Sequence, residues 1–218
     1  MSLTQRKTRQ LTRDAGTFRD DRLFIVACDD QYAPRQYFDA FKLSRVQVHV
    51  VTTDDGTSSA SFVLDRLLRF EHEPDDERWL LLDTDHYTQG SHIKSFMAAI
   101  RKARHNGVKI AISKPCFELW LLLHVAEEST VGSLADASET STALRVALGE
   151  YNKTQLKAEH YPVASVVMAC ERAERLDTKI GGGEIPSGNT TRVYQLWRAI
   201  AAKALPSQLP PELRGLLP

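Results

Sequence analysis

Aspartates gather behind three of the short apolar runs of this chain: Cys28-Asp29-Asp30, Asp54-Asp55 and Asp83-Thr84-Asp85-His86. Carboxylates collected at one rim repel each other, and a hard cation such as Mg²⁺ or Mn²⁺ makes such a gathering stable. A cation held there can activate water and clamp the leaving oxygen of a phosphodiester. Asp54 and Asp55 precede Gly56 and read first as turn residues. Asp83 and Asp85 differ: at i, i+2 from one strand they point to the same side, and no helix starts before Ser91, so they have nothing to cap. His86 reads as a solvated loop histidine or as a catalytic group. Glu118 and His124 interrupt an otherwise apolar helix. A buried charge needs a partner, and six residues apart the two side chains sit about 120° from each other, too far around the helix to serve one site.

The elements that position these residues follow from hydrophobic spacing. Leu23 to Cys28 is a continuous apolar run suited to a strand covered on both faces. Val46 to Val51, Trp79 to Asp83 and Val108 to Ile112 read as further strands. Between them lie a stretch opened by Pro34 with Tyr37, Phe38 and Phe41 in helical spacing, and a helix with Val63, Leu64, Leu67 and Phe70. A third helix, capped by Ser91, carries an inward stripe of Ile93, Phe96, Met97 and Ile100 and ends at Gly107. Phe117 to Val125 is apolar nearly all round, hence a buried helix. The alternation predicts an α/β fold, a parallel sheet with helices on both faces, whose ligand crevice lies outside the carboxyl ends of the strands.

Three divisions are expected: a flexible basic tail over residues 1–22, an α/β core over 23–126, and a mostly helical part over 127–218 packed on that core. The tail carries Arg6, Lys7, Arg9 and Arg13 and reads as frayed or as a short arm touching phosphates. Ser129 to Ser141 reads as a linker or loop; helices are expected over Thr142 to Leu148, Val163 to Leu176 and Thr191 to Ala204. Gly181-Gly182-Gly183 lies between two of these helices and reads as a connector rather than a nucleotide loop.

Composition excludes several classes. The 218 residues are 42% hydrophobic and 26% charged, an ordinary globular balance. The 28 basic residues match 28 acidic ones, so nothing global favours nucleic acid or a membrane. Three cysteines without CxxC spacing argue for a reducing compartment, and no apolar run reaches membrane-spanning length, so a cytoplasmic setting is expected.

The segment Ser113-Lys114-Pro115-Cys116-Phe117-Glu118-Leu119-Trp120-Leu121-Leu122-Leu123-His124 resembles the S-N-P-C-F-E-x-W-L-L-L-H signature of RloB-like proteins, with Lys114 in place of Asn. Pro34 to Phe38 is similar to the family's E-P-x-Y-F, Asp83-Thr84-Asp85 to its D-x-D, and Pro186 to Thr190 loosely to its N-P-S-T. The resemblance implies a Toprim-type fold, the metal-dependent phosphodiester module of topoisomerases, primases and overcoming-lysogeny nucleases. It also implies a role in phage defence beside an ATPase partner. In the family the first strand ends C-E-G-E-K-T-E-P, and its first glutamate is the acid/base group. That position is Cys28 here; Asp29 stands for the glycine and Asp30 for the second glutamate.

Two functions are therefore expected. One is a divergent nuclease acting on DNA or RNA with Mg²⁺ or Mn²⁺, with Asp83, Asp85 and Asp30 as metal ligands and Asp30, Asp29 and Glu118 as catalytic groups. The other is a non-catalytic sensor or partner-binding component of a defence system.

Overall fold

The computed structural model describes residues 21–53, 56–85 and 92–217. In chain order the elements are β1 (Arg22–Cys28), α1 (Ala33–Asp39), β2 (Val46–Val51), α2 (Ala60–Arg69), β3 (Glu77–Asp83), α3 (His92–His105), β4 (Lys109–Lys114) and α4 (Glu118–Leu123). There follow α5 (Glu128–Gly132), α6 (Ala137–Leu148), a 3₁₀ turn at Ala158–His160, α7 (Val163–Lys179), β5 (Thr190–Thr191), α8 (Val193–Lys203) and a second 3₁₀ turn at Pro211–Leu216. The strands lie in the order β2-β1-β3-β4-β5. β1 is parallel to both β2 and β3, and β3 to β4. Winding leaves β1 in one direction to β2 and then returns past it to β3, so the order reverses between β1 and β3, the place where doubly wound sheets open a crevice.

Period-two burial decides which helices cover which face. Leu23, Ile25 and Ala27 of β1 join Leu80, Leu82 and Ile112 in a cluster with Val63, Leu64 and Leu67 of α2 and Phe96 and Ile100 of α3. Phe24, Val26 and Cys28 point the other way, with Trp79, Leu81 and Ala111, into a larger cluster closed by α1, α4, α7 and α8. Both faces of β1 are thus apolar because both are covered. The C-terminal helices belong to the second cluster: Cys170, Ala173, Trp197 and Ile200 touch the same core as Trp120 and Tyr37.

Four local expectations change. Arg22, expected in the tail, opens β1 opposite Val46. Ile93 is exposed at 38%, and the buried stripe of α3 is Phe96, Ala99, Ile100 and Ala103. The Ser129 to Ser141 stretch is not a linker: it holds α5 and the start of α6. There Asp136 caps through Oδ1 to the Glu139 amide at 2.9 Å, while Glu139 takes the Ala135 amide at 2.8 Å. That D-x-x-E pattern is a helix-start signal outweighed in the reading by the small polar residues around it.

Thr191, expected to begin a helix, sits in β5. This two-residue strand pairs antiparallel with Ser113 and Lys114 and makes an otherwise parallel sheet mixed. Two residues have no periodicity to read, and the pairing rests partly on the Ser113 and Thr191 hydroxyls at 2.9 Å. All three of Gly181, Gly182 and Gly183 have positive φ, a conformation open to glycine at no steric cost, where the chain leaves α7. Residues 1–20, Asp54, Asp55, His86 and the Ser91 cap lie outside the described residues.

Candidate functional site

The rim is assembled by backbone first. β3 ends at Asp83, and the two following amides are held by the β4–α4 turn: Thr84 N–H donates to Ser113 O at 3.1 Å and Pro115 O at 3.0 Å, and Asp85 N–H to Pro115 O at 3.1 Å. Asp83 N–H itself donates to Oδ2 of Asp29 at 3.2 Å, which ties the end of β1 to the end of β3. Adjacency of β1 and β3 therefore brings Asp29, Asp83 and Asp85 to one edge, and Glu118, in the first turn of α4, joins them from β4. Lys114 turns away and donates to the carbonyls of Pro186 and Ser187 at 3.2 and 2.9 Å, fastening that loop beside the rim.

Crowding of buried carboxylates sets the electrostatics. Burial, then repulsion from Asp30 and Asp85, pushes Asp29 up to about 7 against the pull of the Asp83 amide. Asp83 also lies well above the carboxylate range, from burial first and then the charges of Asp29, Glu118 and Asp85. The Cys28 thiol is fully buried and pushed up by burial and by Asp29, Asp30 and Asp83, so it stays a thiol; its Sγ donates to Asp30 O at 3.0 Å.

Asp30 is differently employed. Its Oδ1 accepts the amides of Tyr32 at 2.7 Å and Ala33 at 3.3 Å, at the start of α1, and its Oδ2 meets Lys153 Nζ at 2.8 Å. Glu118 has the partners its burial demanded: Tyr151 donates its hydroxyl to Oε1 at 2.9 Å, and Lys153 Nζ lies 3.5 Å from the same oxygen. Burial works against the Lys153 charge, yet Glu118 and Asp30 outweigh it and hold the ammonium above its usual range.

These groups border an open cavity of about 510 Å³, lined by Asp83, Asp85, Cys116 and Glu118 together with Arg145, Tyr151, Asn152 and Lys153. Asp29 and Asp30 stand behind the lining. Lys153, Tyr151 and Arg145 were not anticipated from sequence. The signal available was indirect: a rim of acids in a neutral chain requires cations from somewhere, but nothing in Tyr151-Asn152-Lys153 says that this loop supplies them.

His124 serves another purpose, as its position around the helix suggested. Trp197 Nε1–H donates to the Tyr37 hydroxyl at 3.1 Å, and that hydroxyl lies 3.0 Å from His124 Nε2. Ser165 donates to Pro162 O at 2.8 Å and so accepts from His124 Nδ1 at 2.7 Å. A neutral imidazole fits this pattern, with Nδ1–H donating and Nε2 accepting, and burial, followed by the Arg172 charge, pushes His124 down to about 3. This is a core network.

Among the described residues, no group of three His, Cys, Asp or Glu side chains is arranged to hold a metal ion. The donor chemistry nonetheless suits Mg²⁺ or Mn²⁺: the rim offers carboxylate oxygens, buried at a cost that a cation would relieve. Mg²⁺ commonly takes only one or two carboxylates, with waters and substrate oxygens completing its shell. Asp83 and Asp85 both line the cavity and are the carboxylates such a shell would draw on.

Fold and rim together define a doubly wound α/β protein with an acidic crevice at the reversal of strand order. The family model described as RloB-like protein matches residues 24–200, and the chain belongs to that family. No curated protein and no solved structure matches it. Among the described residues no helix is long and apolar enough to cross a membrane.

Proposed function

We propose that this RloB-like chain is a divergent Toprim-type nuclease that cleaves a phosphodiester of DNA or RNA with Mg²⁺ or Mn²⁺. The observation that supports this reading is the meeting of Asp29, Asp83, Asp85 and Glu118 at the ends of β1 and β3 and the start of α4, beside a cavity that Arg145 and Lys153 also line. Asp83 and Asp85 would hold the ion, with Glu118 beside them. When bound, the ion supplies Lewis-acid polarisation of a phosphoryl oxygen. Asp29, on the Asp83 amide, is the group in place to hold or release a proton, while Asp30 gives Oδ1 to the Tyr32 and Ala33 amides and, without metal, Oδ2 to Lys153. Asp30 instead positions α1 and Lys153. A cytoplasmic role in phage defence beside an ATPase partner is part of the same reading, carried from the resemblance.

One feature favours a second reading, a non-catalytic sensor or partner-binding component: Cys28 stands where the family has its acid/base glutamate, and Mg²⁺ prefers oxygen to sulfur. One experiment separates the two. The purified chain is incubated with single- and double-stranded DNA and RNA in Mg²⁺, Mn²⁺ or EDTA. The nuclease reading expects metal-dependent cleavage that falls at least about a hundredfold in Asp83→Ala. Wild-type protein no more active than Asp83→Ala on every substrate would refute it and leave the second reading.

A further inference from the structure

The loop between α6 and the first 3₁₀ turn carries Lys153, the cation in contact with the acidic rim. Its ammonium is shared, 2.8 Å from Asp30 Oδ2 and 3.5 Å from Glu118 Oε1. The two carboxylates are 3% and 4% exposed, whereas the lysine side chain is 46% exposed. Its backbone is pinned from outside. Gln36 of α1 donates through Nε2 to Lys153 O at 3.1 Å and accepts the Leu156 amide through Oε1 at 2.9 Å, and Asn152 Oδ1 closes the turn on the Thr154 amide at 3.0 Å. The result is a fixed stem with a long, half-solvated side chain that can swing. Arg145, exposed on α6, borders the same cavity and has no ion-pair partner among the described residues.

A divalent cation entering beside Asp83 and Asp85 meets Glu118 already paired. Lys153 and the cation are like charges seeking the same oxygen, so each must weaken the other. Once displaced, the ammonium remains tethered over the cavity that the Arg145 guanidinium also borders. Two cations lining the cavity beside an acid-bound metal suit a ligand that is itself anionic and bridges them, a phosphodiester.

We propose that Lys153 is an exchangeable counter-ion. Without metal it neutralises Asp30 and Glu118; with a divalent cation on the rim it turns, together with Arg145, to hold a substrate phosphate. This rests on the metal-dependent reading above and adds to it a residue with two states.

The test uses the full chain and two binding measurements without turnover: Mn²⁺ alone, followed by electron paramagnetic resonance, and a fluorescein-labelled eight-nucleotide DNA strand in Ca²⁺, followed by anisotropy. Lys153→Gln should bind Mn²⁺ about tenfold more tightly and the strand about tenfold more weakly, opposite signs that a merely structural role would not produce. Lys153→Arg, which keeps the charge, should hold both affinities near wild type. Arg145→Gln should weaken strand binding. Circular dichroism checks that each variant folds, and the arginine variant keeps the test informative should the glutamine variant fail to fold. Wild-type Mn²⁺ binding that is unchanged or weaker in Lys153→Gln would overturn the exchange while leaving the metal reading intact, as would tighter Mn²⁺ binding with unchanged strand binding. Failure of both wild type and Lys153→Gln to bind Mn²⁺ would overturn the metal reading and the exchange with it.

Discussion

If the acidic rim is built for a ligand rather than for stability, removing one of its charges should strengthen the fold, and Asp29→Asn is the sharpest case. Asp29 moves from its ordinary 3.8 to about 7. The folded state thus binds this proton more tightly than the unfolded chain does. The contribution favours folding at low pH, declines as pH rises from 3.8, and is at its worst above 7. At about 1.4 kcal/mol per pH unit, the full cost above pH 7 is about 4 kcal/mol. Asparagine keeps an oxygen for the Asp83 amide and carries no charge. Discounting for the partial exposure of Asp29, we expect Asp29→Asn to gain about 2–3 kcal/mol over wild type at pH 8 and close to nothing at pH 4. The assay is urea denaturation of both proteins in EDTA at each pH from 4 to 8, read as the difference in unfolding free energy. Added Mg²⁺ should shrink the gain at pH 8, because an ion on the rim stabilises only the wild-type charge pattern. A difference that is the same at pH 5 and pH 8, or a loss at pH 8, would refute the reasoning.

Other consequences are simpler to check. Because His124 is pushed from 6.5 to about 3, its stability contribution is complete above pH 6.5 and lost as pH falls below it, by up to about 1.4 kcal/mol per pH unit. His124→Gln should flatten that limb relative to wild type in the same titration. Asp136→Ala removes the cap of α6 and should cost about 1 kcal/mol, a drop of roughly 2–4 °C in Tm by calorimetry. Cys28→Glu adds a carboxylate at a fully buried position beside Asp29 and Asp83, so it should lower stability in EDTA. The same variant should raise metal-dependent cleavage, by about 10²- to 10⁴-fold if the missing acid/base group limits the rate.

What could be read in advance divides along a physical line. Strands such as Leu23 to Cys28 announce themselves because a sheet covered on both faces demands an unbroken apolar run, and Asp83 and Asp85 are legible because a strand's end has a known direction. The approach of Asp29 to Asp83 depends on β1 lying next to β3, an adjacency expected of a doubly wound sheet rather than of any local stretch of sequence, and the strand order has it. Lys153 was beyond reach for a different reason. It sits on an irregular loop brought in by α6, and its meaning comes from Gln36, Asp30 and Glu118, three residues from two other parts of the chain. β5 escaped because two residues cannot display a period.

The larger apolar cluster has a consequence for how the molecule is made. One side of the sheet is sealed by Trp197, Ile200 and their neighbours on α8, yet β1 to β4 are complete once Lys114 has been synthesised. Residues 115–197 must still emerge, which at about 5–20 residues per second takes roughly 4–17 s. At the start of that interval Phe24, Val26, Trp79 and Leu81 have only α1 to cover them, and α4 and α7 join before α8 completes the seal. A nascent chain stalled there would present a sticky, half-clad sheet to other chains and to chaperones, and truncations ending before α8 should be recovered as aggregate rather than as a smaller folded domain.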